Sequence, residues 1–173
     1  MKKRNLSAKK KIHNFLLNKL KNHRIKKIYS EFKKKVDINK PKKLCIAISG
    51  GPDSVALAYL TKCYSIEKKI VSFYYIVDHK LRVESTKEAK LTKKVLKKFD
   101  INCKILTWRG NKIHSNIQSK AREKRYELIF KECLKYKINI ILTAHQNSDL
   151  FENFFIRLLR GSGLKGLSSF SNI

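Results

Sequence analysis

Four short runs of nearly continuous apolar residues punctuate the chain, at positions 44–49, 70–78, 103–108 and 139–144. They are rich in Ile, Val, Leu and aromatic residues and have polar borders, the pattern of strands buried on both faces. Between them, residues 54–66, 85–99 and 117–136 repeat their apolar positions at helical intervals. Leu91, Val95, Leu96 and Phe99 mark one such face, and Tyr126, Ile129, Phe130 and Cys133 another. A further helix is expected over 149–160. Strict alternation of strand and helix predicts a mostly parallel sheet with right-handed crossovers, so the expected fold class is α/β, doubly wound. Such sheets bind ligands beyond the carboxyl ends of their strands, which directs attention to the loops starting at Ser49, His79, Arg109 and His145.

Residues 6–36 differ from this pattern. Ile12, Phe15, Leu16, Leu20, Ile28 and Phe32 fall at mostly helical intervals among lysines, which predicts one or two amphipathic basic helices. Pro41 ends the segment, dividing a basic helical extension (1–43) from the α/β domain (44–173). The chain carries 41 Lys plus Arg against 13 acids, a formal charge of +28, and 17 of those cations lie in 1–43 beside only Glu31 and Asp37. Such an excess favours a polyanionic partner, nucleic acid first. Lys outnumbers Arg 33 to 8, a bias that A/T-rich codon usage also produces. The extension reads as a cap on the main domain or as a surface facing nucleic acid or lipid. Transit peptides favour Arg and Ser, and this segment has neither bias.

No apolar run reaches the roughly 18 residues of a spanning helix, and 1–20 lacks a secretory apolar core. Cys45, Cys63, Cys103 and Cys133 form no C-x-x-C pair and read as buried thiols of a reducing compartment. A cytoplasmic protein is expected.

Glycine is scarce, with six in the chain, and two of them share one loop, Ser49-Gly50-Gly51-Pro52-Asp53-Ser54. This loop joins a predicted buried strand to a helix. Adjacent glycines let backbone N–H groups approach an anion, and the next helix adds its dipole, so the loop reads as a phosphate cradle. It is neither a Walker loop nor the dinucleotide fingerprint.

Ser49 through Ser54 resembles the S-G-G-x-D-S loop of the PP-loop ATP pyrophosphatases. Three later stretches narrow the resemblance: Val77-Asp78-His79-Lys80-Leu81-Arg82; Asn116-Ile117-Gln118 with Ala121-Arg122-Glu123-Lys124-Arg125-Tyr126; and Thr143-Ala144-His145 through Asp149, Glu152 and the Arg157 to Gly163 segment. Together they are similar to the N-terminal catalytic domain of the tRNA(Ile)-lysidine synthetases. That resemblance implies ATP binding at Ser49, Gly50, Gly51, Pro52, Asp53 and Ser54, with Asp53 a ligand of Mg²⁺. It implies adenylation of the C2 carbonyl oxygen of the wobble cytidine in a CAU-anticodon tRNA(Ile), then attack by an L-lysine amine with AMP leaving. Arg122 stabilises the phosphate charge in this reading, with Arg125 beside it. His145 contacts phosphate or moves a proton, and Asp149 and Glu152 hold the substrate lysine or Mg²⁺. Asp78 and His79 shape the site, and Arg160 faces the nucleotide or tRNA.

Two departures accompany the resemblance. The family commonly reads His-His-x-Asp-Asp where this chain has His145-Gln146-Asn147-Ser148-Asp149, which removes one imidazole and one carboxylate. Family members also continue into helical tRNA-gripping domains, so the chain is expected to be a fragment or a truncated protein. Its alternatives are a catalytically impaired tRNA-binding module and a PP-loop 2-thiolation enzyme. The oligomeric state stays open, a homodimer included.

Overall fold

The computed structural model describes residues 2–81, 84–110 and 117–144. Two helices come first, α1 (Lys2–Lys19) and α2 (His23–Asp37). An α/β alternation follows: β1 (Lys43–Ile48), α3 (Pro52–Lys68), β2 (Val71–Asp78), α4 (Ser85–Lys97), β3 (Cys103–Thr107), α5 (Ile117–Tyr136) and β4 (Ile141–Thr143). The four strands make one sheet in the order β3-β2-β1-β4, and every pairing is parallel. The alternation expected from the sequence is therefore present, while the helix expected over 149–160 lies outside the described residues.

Side chains alternate across the pleat and build two cores. Leu44, Ile46, Ile48, Tyr74 and Ile76 pack with Ala58, Cys63 and Tyr64 of α3 and with Ala89 and Leu96 of α4. Cys45, Tyr75 and Val77 point the other way and pack with Ile129 and Cys133 of α5. Helices thus cover both faces, which is why β1 and β2 carry almost uninterrupted apolar sequence. β3 departs from that expectation. It ends the described sheet, and its Lys104 is exposed and paired with Glu132 of α5 at 2.7 Å.

The helical faces are narrower than their periodicity suggests. α4 buries Ser85, Ala89 and Leu96 but leaves Leu91 63% exposed. On α5, Ile129 and Cys133 are buried while Phe130 is 51% exposed. α4 flanks the β2–β3 side of the sheet, and α5 meets the opposite core with Ile129 and Cys133, so one stripe of each suffices.

The basic extension adds a layer outside α3. Asn22 caps α2 by accepting from the N–H groups of Arg24 (3.1 Å) and Ile25 (3.4 Å). Leu16, Tyr29 and Val36 join the same apolar core as the sheet, whereas Phe15 and Ile28 stay exposed. Polar contacts fix the docking. Tyr29 donates to Glu67 at 2.6 Å, and Tyr64 donates in the opposite direction, to Asp37, at 2.7 Å. Asp100, held at a left-handed φ of 56°, accepts from His13 at 3.0 Å and Lys62 at 2.9 Å.

The topology positions the site. From β1 the chain steps outward through β2 to β3, with α3 and α4 on one face. It then returns across the sheet through α5 to set β4 on the other flank of β1. The winding reverses between β1 and β4, and a ligand crevice forms beyond the carboxyl ends of strands at such a reversal.

Candidate active site at the β1 loop

The loop after β1 sits at this reversal. Gly50 has φ +95°, a conformation that L side chains rarely adopt, and a Cβ there would lie 3.2 Å from Thr92 Oγ1. Gly51 is the N-cap of α3 with ordinary extended angles, and Pro52 follows at the first helical position, where its missing N–H costs nothing. Ser54 is 2% exposed and braces the turn. Its hydroxyl donates to the Gly51 carbonyl at 2.8 Å and accepts from the Gly50 N–H at 3.2 Å. The structure thus commits this hydroxyl to the loop's own backbone. Ser49 and Asp53 are exposed at the mouth, Asp53 in the first turn of α3 where the helix dipole favours a negative charge.

The second wall comes from the end of β2. Asp78 is almost fully buried and accepts from Ser85 Oγ at 2.9 Å, Thr86 Oγ1 at 2.6 Å and the Lys80 N–H at 3.1 Å. Burial pushes this carboxyl up, but the three hydrogen bonds outweigh it and hold it below the usual value. Asp78 therefore anchors the strand-to-helix connection in its ionised form. Its own carbonyl accepts from the Trp108 N–H at 2.9 Å, which ties the end of β3 to the same point.

His79 follows and meets Arg125 of α5 at 3.1 Å. A guanidinium only donates, so in this contact the His79 Nε2 is the accepting atom. Burial lowers the Arg125 pKa, opposed by Tyr126 and assisted by the charge of Arg122. Arg122 is exposed, its guanidinium 5.9 Å from the Tyr126 ring centre. The structure thus joins Asp78, His79 and Arg125 along one edge, and gives Arg125 a more fixed position than Arg122. His145, Asp149, Glu152 and Arg160 lie outside the described residues.

Three contributors were not singled out from the sequence: Thr92, which crowds Gly50, and Ser85 with Thr86, which hold Asp78. The only signal for the latter pair was two hydroxyls opening a predicted helix seven residues after a strand-end carboxylate.

The family model of the PP-loop domain matches residues 17–173. This chain belongs to the PP-loop domain family. The match begins inside α1, so the family region takes in much of the helical layer as well as the sheet.

Among curated relatives, the PP-loop chain is 43% identical over 127 residues to a tRNA(Ile)-lysidine synthase of Orientia tsutsugamushi (strain Boryong), covering 73% of this chain and 29% of that protein. It is 42% identical over 131 residues to the tRNA(Ile)-lysidine synthase of Rickettsia rickettsii (strain Sheila Smith), covering 76% and 27%. The chain spans less than a third of the length of these relatives. A solved structure with the same fold is the U34-tRNA thiolase NcsA from Methanococcus maripaludis with its [4Fe-4S] cluster. It has a TM-score of 0.68 at 20% identity and covers 84% of this chain and 53% of that one. No helix among the described residues is long and apolar enough to cross a membrane.

A triphosphate suits the loop as built. The positive φ at Gly50 turns the backbone without a side chain in the way, and the loop runs directly into the N-terminus of α3. Asp53 adds one exposed carboxylate of the kind that Mg²⁺ takes together with phosphate oxygens.

Proposed function

We propose that this PP-loop domain is the ATP-using catalytic part of a tRNA(Ile)-lysidine synthetase working in a bacterial cytoplasm. The reaction joins L-lysine to C2 of the wobble cytidine, C34, of the CAU-anticodon tRNA(Ile), which changes codon reading from AUG to AUA. The observation that carries this reading is the Ser49–Ser54 cradle at the sheet's reversal point, in a chain 42% to 43% identical to proteins of that name over about three quarters of its length.

Each residue has a distinct task in this reading. The Gly51 amide and the first-turn amides of α3 hold the triphosphate, with Ser49, Pro52 and the Gly50 turn that Ser54 braces through the Gly50 N–H. Asp53 holds Mg²⁺, which when bound offsets phosphate charge. The cytidine C2 oxygen attacks the α-phosphorus, the α–β bond breaks, and pyrophosphate departs. A lysine amine then attacks C2 and AMP leaves with the oxygen. Arg125, fixed by His79, and the more exposed Arg122 face the charge that builds on phosphate, a contribution on the order of several kcal/mol for preorganised cations. His145 contacts phosphate or carries the proton from the amine. Asp149 and Glu152 hold the lysine ammonium or share the Mg²⁺, and Arg160 meets tRNA.

A single-turnover assay with CAU-anticodon tRNA(Ile), ATP, Mg²⁺ and labelled lysine tests this directly. AMP release with label on the anticodon cytidine is expected, and Asp53→Ala is expected to abolish both while tRNA binding persists. Binding of tRNA with neither signal would replace this reading with a non-catalytic tRNA-binding module.

A further inference from the structure

The outer face of the α1–α2 layer has no part in the ATP site. α2 docks near the far end of α3 from the cradle, through Glu67 and Asp37, which meet Tyr29 and Tyr64. The carboxylates around this layer are occupied by that docking. Glu67 takes Tyr29 and Lys33, Asp37 takes Tyr64 and Lys68, and Asp100 takes His13 and Lys62. α1 contains no acid, and Glu31 is the one exposed acid of α2. The outward surface is consequently almost purely cationic.

Between the two helices runs an open groove of about 310 Å³, lined by Leu17, Leu20 and Tyr29 and flanked by Lys21 and Lys26. Lys10 lies two turns before Leu17 on the same face of α1, and Lys27 and Lys34 lie two turns apart on α2. All five lysines are exposed, and none makes an ion pair among the described residues. Lining up unpaired like charges beside a groove repels at rest and is relieved when a polyanion releases its condensed counterions onto them.

We propose that the α1–α2 face is an RNA-backbone docking surface, separate from the catalytic cradle, in which Lys21 and Lys26 at the groove and Lys10, Lys27 and Lys34 on the exposed helix faces around it meet backbone phosphates. The proposal rests on the reading that the substrate is RNA. It favours RNA over an anionic membrane because Leu16, Tyr29 and Val36 are buried in the core, which leaves Phe15 and Ile28 as the large exposed apolar side chains among the described residues of the two helices, amid many exposed lysines. A helix that lies in a bilayer interface needs an apolar stripe for the lipid. A basic groove that tracks a backbone needs only the cations.

The test compares the whole chain with a five-fold Lys→Gln variant and a five-fold Lys→Arg variant at these positions, by equilibrium binding to CAU-anticodon tRNA across a salt series. The Gln variant is expected to bind about tenfold or more weakly at 0.1 M salt, with the slope of log K against log salt reduced by roughly 0.7 to 0.9 for each phosphate that is no longer neutralised. The Arg variant is expected to keep the wild-type slope. Circular dichroism melts confirm folding, and a Lys21→Gln, Lys26→Gln pair serves if the larger set is misfolded. Equal binding by wild type and Gln variants would overturn the proposal, as would lysine-dependent capture by phosphatidylserine vesicles with tRNA affinity unchanged. Asp53→Ala separates the two readings. Should the wild type make no lysidine while the Gln variant still loses tRNA affinity, the proposed reaction falls and the docking surface stands.

Discussion

Two adjacent glycines in the cradle differ sharply in what they tolerate. Gly50 holds φ +95°, and an added Cβ would lie 3.2 Å from Thr92 Oγ1. Gly51 has φ −70° and ψ 162°, and its added Cβ would find only Ser49 Oγ, at an ordinary 3.7 Å. For Gly50→Ala, the backbone strain costs about 1–3 kcal/mol. The Thr92 contact adds a few tenths as that side chain gives way. A net loss of about 2 kcal/mol lowers Tm by about 4–8 °C for a chain of this size. At Gly51→Ala, a poorer N-cap is offset by the reduced entropy of the unfolded chain, leaving a change within about 0.5 kcal/mol. Thermal and urea melts of both variants measure this. Thr92→Ala beside Gly50→Ala relieves the contact and leaves the backbone strain, so it recovers only the smaller share. Equal melting points for the two single variants, or full recovery by Thr92→Ala, would refute the reasoning. Under the proposed function, ATP affinity falls with Gly50→Ala by more than with Gly51→Ala.

Asp78→Asn leaves the half-buried Thr86 hydroxyl facing an amide in place of a charged acceptor, and is expected to cost about 2 kcal/mol in a urea melt. Asp37, Glu67, Asp78 and Asp100 all titrate below their ordinary values of 3.8 (Asp) and 4.5 (Glu). At Asp37 the Tyr64 hydrogen bond leads, and at the other three hydrogen bonds outweigh the upward push of burial. Their stabilisation is complete above those ordinary values and is lost as pH falls through the depressed folded ones, so Tm should hold down to about pH 5 and drop below about pH 4. A Tm that rises on acidification would contradict these assignments. The four thiols are buried, and burial pushes Cys63 up to about 11 and Cys103 up to about 12. A thiol-specific disulfide reagent at about pH 8 should therefore react with none of them in the folded chain and with all four after denaturation. Rapid labelling of the native protein would reopen a thiolation chemistry.

The periodicity of the chain was enough to determine the order of elements from residue 44 to 144 and the parallel sheet, because strands buried on both faces must be apolar almost throughout. The paired glycines likewise marked the tight strand-to-helix turn after β1, where Gly50 takes φ +95° and Gly51 caps α3. Which apolar residues are buried was decided only by packing. Leu91 and Phe130 obey helical spacing and still face outward, because the sheet needs only one stripe of each helix. The role of the extension also waited on tertiary structure. Its sequence shows basic helices, but the pairing of Tyr29 with Glu67 and Tyr64 with Asp37 spans up to 38 residues, and no local pattern encodes it. The same is true at the site. Arg122 and Arg125 look alike in the sequence, and the contact of Arg125 with His79, 46 residues away, is what distinguishes the fixed cation from the exposed one.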